Sequence, residues 1–512
     1  MDMFKKDAAN VNSPAKRNTM KKIFIVLAIA TCTTGCSEDF LTLYPETTLN
    51  EGNFYRSEQE FILLTNGCYV PMRDYEKEIH WVLAELASDN TSFQYNINTG
   101  EAVRGVIDQF IITADNRGFA NFWNDSYNGI YRCNKLLAEI NRPEVTWSKL
   151  SYKDRSMGEA LFLRALYYFN LVRQFGGVPL VLTPINSQEA VEIKRATEEA
   201  VYAGIIQDLQ DAAIHLGNAE DVRENGRANY EAAMSLLGKV YLTLHRYDDA
   251  LAVLKPVIEA GKYRLLEDYA DLFDPTNKDY AETIFSLQYS ESNRELSNRF
   301  IFMFAPWSSR GEITQRPNIN ITSAGWNQPT EDLINAFEPG DRRMDVSIKF
   351  WTGADWDGQV KDIPYCGKYN PPVSAPDDRA GDNVPVIRYS DVLLMYAEAL
   401  NALNRTGEAV PFVEQVRLRA GLKEPLSGYD KTSLEELIAN ERRVDFCFEN
   451  QRWYDLKRTG KALESMQEHG AREKERKSFL YDNSFNVTAH KLLAPLPAEQ
   501  ILINRLEQNP GY

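Results

Sequence analysis

Four tryptophans, Trp307, Trp326, Trp351 and Trp356, fall in stretches dense in Gly, Pro, Asn and Asp, "PWSSRGEITQRPNINITSAGWNQP" and "FWTGADWDGQVKDIPYCGKYNPPVSAPDD". A second polar loop, "LASDNTSFQYNIN", adds Asp89, Asn90, Phe93, Tyr95 and Asn96. Aromatic rings stack on the apolar faces of sugar rings, while Asn, Asp, Gln and Arg side chains pair with the hydroxyls. On residue type and loop context, Trp307, Trp326, Phe93 and Tyr95 are expected to stack on a ligand, with Asn90 and Asn96 as hydrogen-bond partners. The competing reading for each aromatic is a core or interface position. Trp81, flanked by apolar helix residues, is expected in the core.

Catalytic patterns are missing where these binding types are abundant. There is no Gly-x-Ser-x-Gly elbow, no His-Glu-x-x-His and no phosphate loop, and His80, His215, His245, His469 and His490 are scattered. A glycoside hydrolase needs two carboxylates about 5–10 Å apart. Acids are plentiful and sequence does not measure that distance, so hydrolysis stands as the alternative to a non-catalytic binder. Asp355-Trp356-Asp357-Gly358 lacks the remaining ligands of a calcium loop. Cys68, Cys133, Cys366 and Cys447 are widely spaced, with no Cys-x-x-Cys and no adjacent His, so no zinc site and no cofactor is expected. Four cysteines allow three full disulfide pairings, and the sequence selects none.

The elements that position the loops read as helices. In "ANYEAAMSLLGKVYLTLHRYDDALAVLKPVIEAG" two helices split near Arg246, and Met234, Leu237, Gly238, Tyr241, Ala250 and Leu254 follow the tetratricopeptide offsets. Small residues at Gly238 and Ala250 suit a close approach of paired helices. The offsets recur at Leu393, Tyr396, Ala397, Leu400, Ala409 and Val413. Looser pairs are expected around "GEALFLRALYYFNLVRQF" with 200–215, and from Ser433 to Arg458. The expected fold is all-α dominated: three or four helix pairs stacked as a tetratricopeptide-like scaffold over about 155–261 and 388–458, with an irregular region over about 262–387, short strands at most, carrying the ligand site. From Asn440 to Arg458, Glu449, Arg452 and Asp455 lie three apart, where opposite charges meet on a helix, and Ser433-x-x-Glu436 is expected to cap it. That pattern reads as a structural ion-pair lattice.

The N-terminus reads as a removable leader. Met20-Lys21-Lys22 is a basic start, Ile23 to Ala30 is an apolar run too short to cross a bilayer, and small residues follow. Met20 is the expected start, and residues 1–35 a signal peptide. Thr33-Thr34-Gly35-Cys36 resembles the bacterial lipobox, although Thr33 departs from the usual Leu; Cys32 is a poorer candidate, and an ordinary secreted protein is the alternative. Lipidation at Cys36 would leave 36–48 as a tether, begun by the acidic Ser37-Glu38-Asp39, ahead of a single domain over 49–512. Without residues 1–35 the chain carries 51 basic against 71 acidic residues, a formal charge of −20. Such a chain repels nucleic acid.

Two C-terminal stretches resemble the SusD/RagB family of outer-membrane nutrient-binding lipoproteins. "NERRVDFCFENQRWYDLKR" is similar to the family's charged motif, with Asp445 for the usual Glu and Asn450 for the usual Gly; "LLAPLPAEQILINRLEQNPGY" is similar to its C-terminus. "FGGVPLV", "PTEDLINAFEPGDRR", "YSDVLLMYAEALN" and the lipobox fit in family order, so the resemblance covers essentially the whole mature chain. It implies a lipid-anchored outer-membrane protein facing the cell exterior that binds a glycan and hands it to a SusC-like TonB-dependent porin. It also implies that the ion-pair motif lies away from the binding site. Relatives that take up peptides keep open a peptide or protein binder, using the groove of the helical repeats.

Overall fold

The computed structural model describes residues 55–96, 103–219, 226–277, 281–315, 323–369 and 377–512. The expected leader, Cys36 and tether lie outside them. Side-chain caps start half of the long helices among the described residues. Ser57 and Glu60 close a capping box on α1 (Glu58–Tyr75), and Asn116 accepts from Gly118 to open α2 (Arg117–Glu139). After α3 (Leu150–Phe175), Thr197 caps α4 (Glu198–Asn218) and Asn229 caps α5 (Tyr230–Thr243). Each cap satisfies a backbone N–H that the first turn leaves without a partner.

The chain is dominated by these helices, which pack in sequence: α1 on α2, α2 on α3, α3 on α4, α4 on α5, and α5 on α6 (Tyr247–Glu259). α3 is buried on all sides over its second half, so a run such as "ALFLRALYYFNLVRQF" needs no polar face. Its inward Arg164 forks onto Asp208 of α4 at 2.8 and 2.6 Å. Gly238 of α5 faces Leu254 of α6, and a Cβ there would overlap the leucine side chain. The stack continues through α7 (Tyr389–Ala402), which packs on α6, α8 (Thr406–Arg419) and α9 (Lys431–Asp445). Beyond them lie α10 (Arg452–Arg458) and α11 (Ala462–Arg476).

Three two-stranded antiparallel sheets carry the irregular parts. β1 (Thr91–Ser92) pairs with β3 (Gln328–Pro329), and β2 (Thr283–Leu287) with β6 (Val384–Arg388). β4 (Ile348–Ala354) and β5 (Val360–Cys366) form a seven-pair hairpin, longer than the short strands expected. Asp355-Trp356-Asp357-Gly358 is its turn: Gly358 has φ 78°, and its N–H donates to the Asp355 carbonyl at 3.0 Å. Gly takes that left-handed conformation without steric cost, which explains the near match to a calcium loop as turn chemistry.

The charged motif is an ion-pair lattice, assembled differently from the expected i,i+3 ladder. Asp430, not Ser433, caps α9, with Ser433 as its reciprocal partner. Glu449 sits in the turn before α10 and binds Arg388 and Lys368 at 2.7 Å each, rather than Arg452. Arg452 instead reaches Asp89 at 2.7 Å, and Asp455 bridges Arg442 and Arg458 at 2.9 and 2.8 Å. Asp445 is the hub, holding Arg343, Arg388 and Arg419 at 3.2, 2.9 and 2.7 Å while fully buried. Burial opposes its charge, yet the three guanidiniums keep its carboxyl far below the ordinary carboxylate range. Cys68, Cys133, Cys366 and Cys447 are buried free thiols.

Candidate functional site

Strand pairing brings the two polar loops together. β1 runs into Phe93-Gln94-Tyr95, and the Gln94 N–H donates to the Gly325 carbonyl at 2.7 Å. Gly325 and Trp326 in turn donate to Ala305 and Met303, each at 2.9 Å, which sets Trp326 and Trp307 beside the Phe93–Tyr95 segment. Gly325 has φ 72°, and a Cβ on it would lie 2.9 Å from Gln94 Cβ and 3.1 Å from the Trp307 ring. Only a glycine allows three segments to meet there.

The outcome is a continuous row of five aromatic rings. Trp326 lies 5.4 Å from Phe93, Phe93 6.2 Å from Phe479, and Phe479 4.1 Å from Tyr95 in a parallel stack. Trp356, at the tip of the β4–β5 hairpin, meets Tyr95 edge-on at 5.2 Å and is 39 % exposed. Trp307 joins through its indole N–H, which donates to the Tyr95 carbonyl at 3.0 Å. Gln94 fixes the loops beneath: its amide oxygen accepts from the Trp307 N–H at 2.8 Å, and its amide N–H groups reach Ser308 and Asp355 at 2.9 and 2.7 Å. Trp326, Phe479, Tyr95 and Trp356 each keep part of their surface exposed, and that apolar surface can take a flat, partly apolar ligand.

The expected site residues divide between this row and its support. Trp307, Trp326 and Tyr95 are brought together and half-buried, and Asn96 is half-buried beside Tyr95 in the chain. Phe93 is 5 % exposed, so it backs Trp326 and Phe479 rather than presenting a face. Asn90 is a correction. It is fully buried, its amide N–H donating to Glu85 at 3.0 Å and its oxygen accepting from Arg443 at 2.8 Å. Asp89 is likewise held by Arg452 and Arg443. Trp351 turns its indole N–H to Glu312 at 3.0 Å, and Trp81 is 2 % exposed, in the core as expected. Sequence reading missed Phe479, which follows a charged helix more than a hundred residues beyond the tryptophan loops, and Gln94, whose role depends on partners distant in sequence.

At the Trp326 end the row opens into a cavity of about 450 Å³, lined by Lys77, Glu78, Arg104, Arg294, Arg299 and Trp326 among others. Arg104 lies over both Trp81 and Trp326, 5.6 and 5.7 Å from the ring centres.

Residues 39–242 match the family model described as "Starch-binding associating with outer membrane", and residues 361–512 match that of the SusD family. Together the two matches span well over half of the chain. The protein belongs to the SusD family. A SusD-like protein of Formosa agariphila is 25 % identical, the match covering 95 % of this chain and 97 % of the relative. A SusD-like protein of Bacteroides ovatus is 25 % identical, covering 85 % and 82 %. Among solved structures, a laminarin binding SusD-like protein superposes with TM-score 0.74 at 28 % identity, covering 90 % of this chain and all of that one. A SusD homolog from Bacteroides thetaiotaomicron shares the fold at TM-score 0.76 and 22 % identity, covering 91 % and 100 %. Like the expectation from sequence, the SusD fold here is helix-dominated. Among the described residues, no helix is long and apolar enough to cross a membrane.

Proposed function

We propose that this SusD-family protein is a non-catalytic glycan receptor, lipid-anchored at Cys36 on the outer face of the outer membrane, that delivers its ligand to a SusC-like TonB-dependent transporter. The observation that carries the reading is the cluster of partly exposed rings Trp326, Phe479, Tyr95 and Trp356, packed around buried Phe93, which offers apolar surface to the apolar faces of a saccharide chain. The starch-binding description of the matching family model and the laminarin-binding relative support the same ligand class. Two carboxylates beside the Trp356 end of the row are already engaged, Asp355 by Gln94 and by Lys361 at 2.6 Å, and Glu312 by Trp351. That commitment favours binding over hydrolysis. Tethering would keep captured sugar at high local concentration beside a transporter.

The test is calorimetric titration of a soluble form beginning at Ser37 against a panel of polysaccharides, with reducing ends assayed in the same samples. Saturable heat without new reducing ends is expected, reduced by Trp326→Ala and Trp356→Ala. New reducing ends would replace the receptor reading with a hydrolase, and silence on all glycans would favour a peptide ligand.

A further inference from the structure

The cavity at the Trp326 end differs in chemistry from the rest of the molecule. The chain as a whole carries a formal charge of −16, yet this wall offers Lys77, Arg104, Arg294 and Arg299 against Glu78 alone. Three of these cations have close carboxylates: Lys77 has Asp74 at 3.1 Å, Arg299 has Asp378 at 2.7 Å, and Arg294 has Asp378 and Asp377 at 2.9 and 3.0 Å. Arg104 is different. Its carboxylate is Glu78 at 3.9 Å, the outer limit of an ion pair, on a glutamate whose side chain is 60 % exposed. Solvent screens such a pair heavily.

Arg104 is nonetheless held in place. Its guanidinium is seated over two indoles, Trp81 and Trp326, a geometry that fixes a cation without neutralising it. Its Nε, like that of Arg299, is buried with no acceptor among the described residues. Burial works most strongly against the Arg104 cation, Glu78 offsets part of that, and the nearby charge of Arg299 adds to it. A guanidinium stays protonated regardless, so an incoming anion would supply the close counter-charge that Glu78 at 3.9 Å does not. Trp326 is shared: one residue both ends the aromatic row and floors the cavity.

We propose that the glycan is acidic, with a carboxylate or sulfate substituent of the sugar seated against Arg104 and Arg299 while its ring lies on Trp326. This rests on the aromatic row being a glycan platform. Arginine suits the task, because its planar fork pairs two donors with two oxygens of a carboxylate or sulfate. The surrounding negative chain sharpens the choice. A polyanion bound without local recognition would bind better in salt, as screening weakens the general repulsion; one held by this cavity binds worse.

The experiment titrates the soluble form beginning at Ser37 with polyuronates and sulfated polysaccharides, each alongside its own carboxyl-reduced or desulfated counterpart, at low and high salt. The expected result is binding of at least one acidic polymer about tenfold or more tighter than its neutral counterpart, weakening with salt. The uronate and sulfate arms identify which anion is used. Arg104→Gln and, from a separate segment, Arg299→Gln should each collapse that ratio, Arg104→Lys should retain part of it, and melting curves report folding. Equal affinity for acidic and neutral counterparts, or an unchanged ratio in folded Arg104→Gln and Arg299→Gln, overturns the acidic-ligand proposal while leaving the glycan platform standing. Failure of all polymers, neutral and acidic alike, sinks the platform itself.

Discussion

The rings of Tyr95 and Phe479 lie face to face, 4.1 Å apart and 14° from parallel. One comes from the loop after β1, the other from the loop after α11, and together they join the two ends of the aromatic row. Stacked pairs contribute about 0.5–1.5 kcal/mol beyond the area they bury. Phe479→Ala leaves Tyr95 unsupported, so glycan affinity is expected to fall roughly tenfold in a titration, an amount equal to about 1.4 kcal/mol. The thermal midpoint should change little, because both rings are half-buried.

Gln94 acts at one remove. It is 6 % exposed, and its single amide binds Trp307, Ser308 and Asp355. Gln94→Leu keeps the volume and removes every one of those bonds. Leaving buried partners unpaired costs about 1–3 kcal/mol. Both the urea midpoint and glycan affinity are expected to fall, with no change in which glycan is preferred.

Asp445→Asn tests the lattice. It takes the hub charge from Arg343, Arg388 and Arg419, all nearly fully buried. Removing one partner of a buried pair costs about 3–5 kcal/mol. A loss of that order in chemical denaturation is expected, and an unchanged midpoint would rule out the lattice as a source of stability. Asp445 is depressed when folded, so its contribution is present above the unfolded carboxylate range and lost only as pH falls through the much lower folded value.

Asp382 behaves in the opposite way. Burial pushes its carboxyl up to about 8, and neither side-chain oxygen has a partner among the described residues. A raised folded value means the native state holds the proton more tightly than the unfolded chain. Its contribution to stability is therefore complete below about pH 4 and lost as pH rises towards 8. Asp382→Asn should remove that loss, raising stability at pH 8 by roughly 3–5 kcal/mol and changing it little at pH 4. Denaturant titrations at the two pH values check the sign.

Gly129 of α2 faces the ring of Tyr167 on α3, and a Cβ there would overlap the ring. In an exposed helix, Gly→Ala gains up to about 1 kcal/mol. Here overpacking, at about 1–3 kcal/mol, opposes that gain. The ring is pinned, since Tyr167 donates to the Cys68 carbonyl at 2.8 Å and accepts from the Met72 N–H at 2.9 Å. Gly129→Ala is therefore expected to lower the melting temperature.

Legibility in the sequence followed the range of the interactions. The helix pair at Gly238 and Leu254 was readable because its contact is local and its residues small. Trp307, Trp326 and Tyr95 were readable as candidates because aromatic residues in polar loops are unusual. Asn90 misled for the same reason: its type suited a ligand, but its partner Arg443 lies on α9. A buried amide and an open one have the same local sequence, and only long-range packing separates them. Phe479 gave no signal, since its importance comes from Tyr95 and not from its neighbours. The charged motif announced ion pairing through composition, while its partners Arg343, Arg388 at the end of β6 and Arg419 on α8 depended on how three distant segments pack on α9.

The position of Asp445 along the chain sets an order of events. The arginines it neutralises, at 343, 388 and 419, are all made before it, and Glu449 follows four residues later. Until residue 445 is added these cations have Asp341, Glu282 and Glu441 as counter-charges, but they lack the one carboxylate that joins all three. A chain cut short of residue 445 would therefore keep its pairwise contacts and lose the single charge that ties three separate segments to one point.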